Sequence, residues 1–317
     1  MKELALAGNP NSGKTSLFNI LTGSSQHVGN WPGVTVEKKS GLFRKNKDII
    51  IQDLPGIYSL SPYTSEEVIS RNYLLSGNAD GILDVVDATN LERNLYLSLQ
   101  LIETGIPVVL ALNMSDVVEK QGKWIDTTKL SYQLGVPVVA TSALKKTGID
   151  QVMQQVLREM ERTDETLYPV YDSHFEAALS EIIRILGNAV PQKQARFYAI
   201  KLFERDKELS EQLVLSDFQK AEIEDAIRIT EEIYTEDAET IVVNARYEFI
   251  ESAVKMALQA DVTKLSLSDK IDRIVTNRYL ALPIFAVVMW LVYFLSIQTI
   301  GTMGTDWTND VLFGEWI

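Results

Sequence analysis

Apolar runs alternate with helical patterns along the first half of the chain. Short apolar runs bounded by turn residues predict strands, and apolar positions that recur every three or four residues predict helices. Strands are predicted at 4–7, 34–43, 48–52, 81–86, 107–112 and 137–140, and helices at 14–21, from about 64, from 89 to about 104, at 127–134 and at 149–161. This alternation predicts a mostly parallel sheet with helices on both faces and one hairpin at its edge. Two of the helix starts, Thr64 with Glu67 and Thr89 with Glu92, have the spacing of a capping box.

The strand signals fade after Pro169. Residues 173–260 are rich in Glu, Ala, Leu, Lys and Ile at helical spacing, which predicts an all-α domain. The predicted domains are an α/β domain at 1–165, a helical spacer domain at 166–268, an amphipathic connector at 269–279 and an apolar helix at 280–300.

The segment at 280–300 differs from the rest because residues 279–305 include no charged side chain. A bilayer-spanning helix needs about 20 mostly apolar residues, so a transmembrane helix is predicted, with a buried core helix as the alternative. Basic residues precede the segment and acidic residues follow it, so the positive-inside rule predicts that residues 1–278 are cytoplasmic. Because one span comes so near residue 317, we expect it to begin a longer, multi-pass domain of the plasma membrane.

The composition narrows the function classes. The 317 residues carry a formal net charge of −13 and include no cysteine. Disulfides and thiolate metal sites are therefore excluded within this sequence. An acidic surface repels the phosphates of nucleic acids, so nucleic-acid binding is disfavoured.

A glycine-rich loop joins the first predicted strand to the first predicted helix. The run GNPNSGKTS at 8–16 fits G-x-x-x-x-G-K-[ST], which binds phosphates when it lies between a strand and a helix. Its glycines let backbone N–H groups surround the phosphates, Lys14 adds positive charge, and the Thr15 hydroxyl can bind Mg²⁺. The predicted phosphate-binding residues are Gly8, Asn9, Pro10, Asn11, Ser12, Gly13, Lys14, Thr15 and Ser16.

Two further motifs predict that the nucleotide base is guanine. NMSD at 113–116 resembles the N-K-x-D motif, whose aspartate accepts hydrogen bonds from the ring N–H and the exocyclic amine of guanine. Met114 replaces the lysine of that motif and can supply its apolar contact without the charge. TSAL at 141–144 resembles the S-A-x motif, whose backbone N–H groups contact the guanine oxygen. The predicted base-binding residues, at strand ends where such sheets bind ligands, are Asn113, Met114, Asp116, Ser142, Ala143 and Leu144.

The run DLPG at 53–56 is expected to sense the γ-phosphate. Asp53 is predicted to reach Mg²⁺ through water, and the N–H of Gly56, which follows Pro55, to contact the γ-phosphate. Ras-type GTPases have a glutamine after this glycine that orients the attacking water, but this chain has Ile57. Hydrolysis therefore needs another way to position the water.

The first switch segment is predicted at 24–37. Its predicted nucleotide contacts are Gly33, Val34 and Thr35, with the Thr35 hydroxyl as the second hydroxyl ligand of Mg²⁺. Thr22 and Ser40 are the alternative hydroxyls. His27 lies in the same segment and is interpreted as a solvated loop residue.

Several longer stretches carry a resemblance to one family. They are GNPNSGKTSLFN, VGNWPGVTVE, DLPGIYSL, NMSD and SDKIDRIVTNRYLALPIF, and together they resemble ferrous-iron transport protein B over nearly the whole chain. The resemblance implies a GTP-hydrolysing G domain with the Ras-like P-loop fold at 1–165, a spacer that inhibits GDP dissociation, and a membrane domain that passes Fe²⁺. It also implies slow hydrolysis stimulated by K⁺, with Asn11 as the K⁺ ligand and with Asn11, Lys14, Thr35 and Gly56 as the catalytic residues. Ser12 departs from the family, which usually has cysteine there.

Two other function classes stay open. A membrane-anchored regulatory GTPase without transport would share every motif named above, whereas a GTPase of ribosome or tRNA processing is disfavoured by the acidic composition. Small cytoplasmic partner proteins and a homo-oligomer are further expectations for a transporter. The sequence itself predicts no iron site, because its only histidines, His27 and His174, lie far apart and it has no cysteine.

Overall fold

The structure is a computed structural model that describes residues 1–23, 26–31, 34–61, 63–162, 167–260, 274–277 and 280–314. The chain divides into two compact units, Met1–Ala260 and Asp261–Ile317. The first unit holds both the predicted α/β part and the predicted helical part.

A seven-stranded sheet forms the centre of the first unit. Its strands are β1 (Lys2–Gly8), β2 (Gln26–Asn30), β3 (Glu37–Phe43), β4 (Asn46–Asp53), β5 (Gly81–Asp87), β6 (Val108–Asn113) and β8 (Val138–Ala140). They lie in the order β2-β3-β4-β1-β5-β6-β8. The pairs from β4 to β8 are parallel, whereas β2, β3 and β4 pair antiparallel at one edge. The predicted mostly parallel sheet with an edge hairpin is confirmed.

Helices cover both faces of this sheet because the parallel strands β1, β5 and β6 bury side chains on both faces. The helices of this part are α1 (Lys14–Thr22), α2 (Ser65–Leu75), α3 (Leu91–Glu103), α4 (Ser115–Lys120), α5 (Thr127–Leu134) and α6 (Ile149–Glu159). One core lies between the sheet and α2, α3 and α5, and the other lies between the sheet and α1 and α6. Two apolar cores hold the carboxyl ends of the parallel strands at one rigid edge.

The predicted helical domain is confirmed and packs against α3 and α5. Its helices are α7 (Ser173–Leu186), α8 (Ala195–Phe203), α9 (Lys207–Gln212), α10 (Asp217–Tyr234) and α11 (Ala238–Ala257), around an apolar core of their own. Ile250 and Val254 of α11 belong instead to the core shared with α3 and α5. A short pair of strands, β7 (Lys123–Ile125) with β9 (Leu258–Ala260), joins the two parts a second time.

Two local predictions need correction. The strand predicted from Val34 begins at Glu37. The strand β2 was not predicted, because most of its side chains are exposed and show no apolar alternation. The capping box predicted at Thr89 is wrong. Thr89 lies in a 3₁₀ turn capped by the Asp87 carboxylate, and α3 begins after Asn90. The cap at Thr64 is confirmed.

The segment predicted as a transmembrane helix at 280–300 is helical, but it is not one regular α-helix. α-Helical hydrogen bonding runs over Ala281–Tyr293 and changes to a π-helix at Phe294–Gly301. In the described part of the chain, no helix combines the length and apolar character needed to cross a membrane. The predicted connector at 269–279 lies mostly outside the described residues.

Candidate nucleotide-binding site

The glycine-rich loop lies where the sequence predicts it, between β1 and α1. Gly8 and Gly13 have φ angles of +149° and +90°, which side-chain-bearing residues rarely adopt. A Cβ atom on Gly13 would lie 2.2 Å from the Asn113 amide nitrogen, so that position also needs glycine for space. Asn9 and Ser12 are buried, and within the described residues Asn9 Nδ2 and Ser12 Oγ have no hydrogen-bond partner.

Other residues of this loop face outward. Exposed are Pro10, Asn11, Thr15 and Ser16. Asn11 has a left-handed φ of +67°, which asparagine tolerates better than most residues, and it lies in the turn that precedes α1. The described hydrogen bonds do not connect the side chains of Asn11, Thr15 or Thr35 to the rest of the site.

Lys14 and Asp53 form a buried ion pair at the centre of the site. The Lys14 ammonium contacts the Asp53 carboxylate and the carbonyl of Leu54. Burial raises the pKa of the Asp53 carboxyl, and the Lys14 charge opposes that rise. Strands β1 and β4 are neighbours in parallel register, so the residues that follow them meet at one edge.

The DLPG segment passes directly over the glycine-rich loop. The Ile57 N–H donates to the Gly8 carbonyl at 3.4 Å, and the Gly56 position is in contact with Pro10. Gly56 is exposed and Pro55 half-buried. The Ile57 side chain is only 2% exposed and belongs to the apolar core. Ile57, predicted to stand where Ras-type GTPases have glutamine, is therefore a core residue that faces away from solvent.

Trp31 anchors the predicted first switch segment to the rest of the α/β part. Trp31 is buried, its backbone N–H donates to the Val36 carbonyl at 2.9 Å, and its ring meets Tyr73 of α2 edge-on at 5.6 Å. Val34 and Thr35 are exposed in the bend that follows, and Gly33 lies outside the described residues.

Thr22 and Ser40, the alternatives to Thr35 as a hydroxyl ligand of Mg²⁺, lie in different surroundings. Thr22 is 1% exposed and its hydroxyl donates to the Phe18 carbonyl at 2.8 Å. Its hydroxyl is therefore engaged within α1, where it cannot reach a metal ion at the phosphates. Ser40 lies in β3 opposite His27, which is an exposed residue of β2 rather than of a loop.

Asn113 joins the loop predicted to bind the phosphates to the loop predicted to bind the base. It ends β6, and its amide donates to the Ser12 carbonyl at 2.8 Å. Its amide oxygen accepts from the Ala143 N–H at 2.9 Å. Both bonds are buried, so one side chain fixes the glycine-rich loop against the TSAL segment. Met114 follows in a left-handed conformation and is half-buried.

Asp116 presents a buried carboxylate beside these loops. The residue is 6% exposed, and among the described residues its Oδ2 has no hydrogen-bond partner. A hydrogen bond with Ser142 and the charge of Lys145 lower the pKa of the Asp116 carboxyl. Ser142 and Ala143 are buried, whereas Leu144 is 86% exposed. An ionised acceptor in a shielded place suits recognition of N–H groups on a base.

Two sets of residues were not found from the sequence. Lys145, whose ammonium lies 3.5 Å from Asp116 Oδ2, follows the TSAL motif directly, but no motif includes it. Arg71 of α2 is completely buried and pairs with Asp206 and Glu208 of the helical part. Pairs separated by more than 130 residues leave no signal in a single sequence.

The comparisons with known proteins agree with this geometry. A sequence model described as "Ferrous iron transport protein B" matches residues 2–156, and one described as "FeoB cytosolic helical domain" matches residues 171–259. A GDP-bound variant of the S. thermophilus FeoB G domain is 65% identical, with a TM-score of 0.81 over 82% of this chain and 100% of that chain.

The chain belongs to the ferrous iron transport protein B family.

Other members of the family are similar over most of this chain. A structure of S. thermophilus NFeoB with mGMPPNP is 66% identical, with a TM-score of 0.74 over 81% of this chain and 97% of that chain. The Fe(2+) transporter FeoB of Escherichia coli K12 is 38% identical over the whole chain, which spans 43% of that protein. A Porphyromonas gingivalis Fe(2+) transport protein A/FeoB fusion protein is 42% identical over 96% of the chain, which spans 38% of it. This chain therefore spans about two fifths of the length of these curated relatives.

Proposed function

We propose that this chain binds GTP and hydrolyses it slowly, with K⁺ stimulation, as the cytoplasmic module of a ferrous iron transporter. The observation that carries the proposal is the double hydrogen bond of Asn113 to Ser12 and Ala143, at 2.8 and 2.9 Å. It holds a phosphate-binding loop and a base-binding loop on one edge of the sheet, as a nucleotide requires. Relatives about 65% identical have been crystallised with GDP and with GMPPNP, which supports a guanine nucleotide as the ligand.

Mg²⁺ would be held by Thr15, Thr35 and Asp53. Hydroxyl and carboxylate oxygens are the hard ligands that Mg²⁺ prefers, so the donor set fits the ion. Bound there, the ion would neutralise charge that develops on the phosphates. Lys14 would leave its pairing with Asp53 to bind the β- and γ-phosphates, which frees the carboxylate for the metal ion and its water.

K⁺ stimulation is proposed because Ile57 is a core residue and cannot orient water. Asn11 is exposed in the loop turn, and its neutral amide oxygen can bind a cation next to the phosphates. A cation there would stabilise transition-state charge where other GTPases use an arginine finger. The N–H of Gly56 and the hydroxyl of Thr35 would then position the attacking water.

The hydrolysis part is tested by GTP turnover of the purified chain in KCl and in NaCl. We expect faster turnover in KCl, and loss of the difference in Asn11→Ala and in Asn11→Gly, the second of which removes the side chain without straining the left-handed backbone. Asn244→Ala, a change at an exposed asparagine of α11, should keep the full K⁺ effect. Equal rates in both salts for the unmutated chain would contradict the proposal.

The transport part, the position of the chain in the cell membrane, its partner proteins and any oligomer are proposed from family membership. The test is Fe²⁺ uptake by the natural gene product in cells that lack their own uptake system, with Mn²⁺ as the control ion. Lys14→Ala and Asp116→Asn should both abolish Fe²⁺ uptake. Uptake that persists in both variants would separate the nucleotide site from transport, and absent uptake by a well-expressed unmutated protein would favour a membrane-anchored GTPase switch.

A further inference from the structure

A lysine outside every motif lies beside the carboxylate predicted to recognise guanine. The Lys145 ammonium is 3.5 Å from Asp116 Oδ2, and the two side chains are 50% and 7% exposed. Among the described residues, that oxygen has no hydrogen-bond partner. The ammonium is therefore near enough to act on the carboxylate through its charge.

The position of Lys145 is fixed by its backbone. Its N–H donates to the Ser142 hydroxyl at 3.2 Å, and Ser142 and Thr147 exchange two backbone hydrogen bonds of 3.1 Å that close the turn. The Asp116 helix is tied to the same segment, because the Ser115 hydroxyl donates to the Thr141 carbonyl at 2.9 Å. Lysine and aspartate are thus held by two loops that are bonded to each other.

The sequence explains why a cation is needed here. Met114 stands where the N-K-x-D motif has its lysine, so this chain lacks the positive charge that the motif normally carries next to the aspartate. The other charged group that acts on Asp116 is Lys120, at the exposed end of α4, and its influence is weaker than that of Lys145.

We propose that Lys145 is a specificity-determining residue that strengthens guanine recognition by Asp116. The inference rests on the proposed GTP function. When a base covers Asp116, the carboxylate loses its remaining solvent, and burying an uncompensated charge is costly. Lys145 offsets that charge without occupying the lone pairs that must accept from the ring N–H and the exocyclic amine of guanine.

The test is calorimetric titration of the full chain with nucleoside diphosphates. Lys145→Ala should weaken GDP binding about fivefold, as expected for a partly exposed ion pair, and Lys145→Arg should restore it. Lys129→Ala is the matched control. Lys129 is 51% exposed and pairs with Asp126 at 3.6 Å, away from the site, so GDP binding should not change.

A second pair of titrations separates a charge effect from a loop effect. Asp116→Asn turns the acceptor into an amide that can donate to the 2-carbonyl of xanthine, so this variant should bind xanthosine diphosphate. Because no buried charge is then left to offset, adding Lys145→Ala to Asp116→Asn should leave xanthosine diphosphate binding unchanged within about twofold.

Each outcome is decisive. If Lys145→Ala weakens GDP binding by the chain with Asp116 and xanthosine diphosphate binding by the Asp116→Asn variant equally, Lys145 acts only by shaping the loop. If Lys145→Ala does not weaken GDP binding by the chain with Asp116, Lys145 plays no part in recognition. Either result overturns the inference and leaves the proposed GTP function intact. Failure of the unmutated chain to bind GDP would instead overturn the proposed function.

Discussion

The amide of Asn113 donates to the carbonyl of Ser12 at 2.8 Å, although the two residues are 101 positions apart in the sequence. The bond holds the loop after β1 against the end of β6, and Gly13 makes the approach possible. Its missing side chain leaves the space that the Asn113 amide fills.

Gly13→Ala should therefore weaken GDP binding and destabilise the fold. The new methyl would lie 2.2 Å from the Asn113 amide nitrogen, at a φ of +90° that alanine avoids. We expect at least a tenfold loss of GDP affinity, about 1.4 kcal/mol or more, in a calorimetric titration. Gly29→Ala is the control, because a methyl there meets nothing within 4 Å and the glycine is not left-handed. Unchanged binding by Gly13→Ala would show that the loop adopts another conformation.

Ile57→Gln, which restores the residue that Ras-type GTPases use, should not accelerate hydrolysis. Ile57 is 2% exposed in the core, so an amide there would be buried without partners and would cost about 1–3 kcal/mol of unfolding free energy. Urea unfolding and GTP turnover measure the two effects. Ile229→Gln, at a half-exposed isoleucine of α10, should alter neither. Faster turnover at unchanged stability would mean that residue 57 can face the nucleotide.

Arg71→Met should destabilise the unit that contains both the sheet and the helical part. Arg71 is fully buried and Asp206 almost so, and removing one partner of a buried pair leaves an uncompensated charge that costs about 3–5 kcal/mol. Urea unfolding of the full chain checks this value. Arg228→Met, which breaks only exposed pairs with Asp225 and Glu232, should cost far less than Arg71→Met. A similarly small loss of unfolding free energy in both variants would contradict a buried ion pair between Arg71 and Asp206.

Asp84 predicts a pH dependence of stability. It lies buried in β5 with a hydrogen bond from Ser98, and burial raises its pKa to about 7. The folded state therefore holds a proton that the unfolded chain releases above about pH 4, so stability should fall as pH rises from 4 to 7 and then level off. Urea unfolding between pH 5.5 and 8 measures how the unfolding free energy changes with pH, and Asp84→Asn should make that change smaller. An unchanged pH dependence in the variant would mean that other groups cause it.

Much of the site was predictable because its motifs are local. The run from Gly8 to Ser16 defines a loop by its own glycines, and the order of strands and helices then fixes which strand ends meet. Asn113 was predicted to bind the base, and the structure shows that its side chain also joins the glycine-rich loop to the TSAL segment by two hydrogen bonds.

Other features depend on tertiary contacts that one sequence does not encode visibly. The strand β2 gains its place by pairing with β3, and the pairing of Lys145 with Asp116 depends on how two loops meet. The start of α3 was misplaced because Asp87, which precedes the expected cap, takes the capping role in a 3₁₀ turn. At 280–300 the composition predicted one continuous helix, but composition cannot reveal the change from α- to π-helical hydrogen bonding after Tyr293.

The most direct test of the central claim is a titration of the full chain with GTP and with ATP in the presence of Mg²⁺. If Asn113, Asp116 and Ala143 form a guanine site at the sheet edge, GTP should bind at least about 100-fold more tightly than ATP, because adenine leaves the buried Asp116 carboxylate without its donors. Asp116→Ala should remove most of that preference. Equal affinities for GTP and ATP, or no binding of either, would contradict the account.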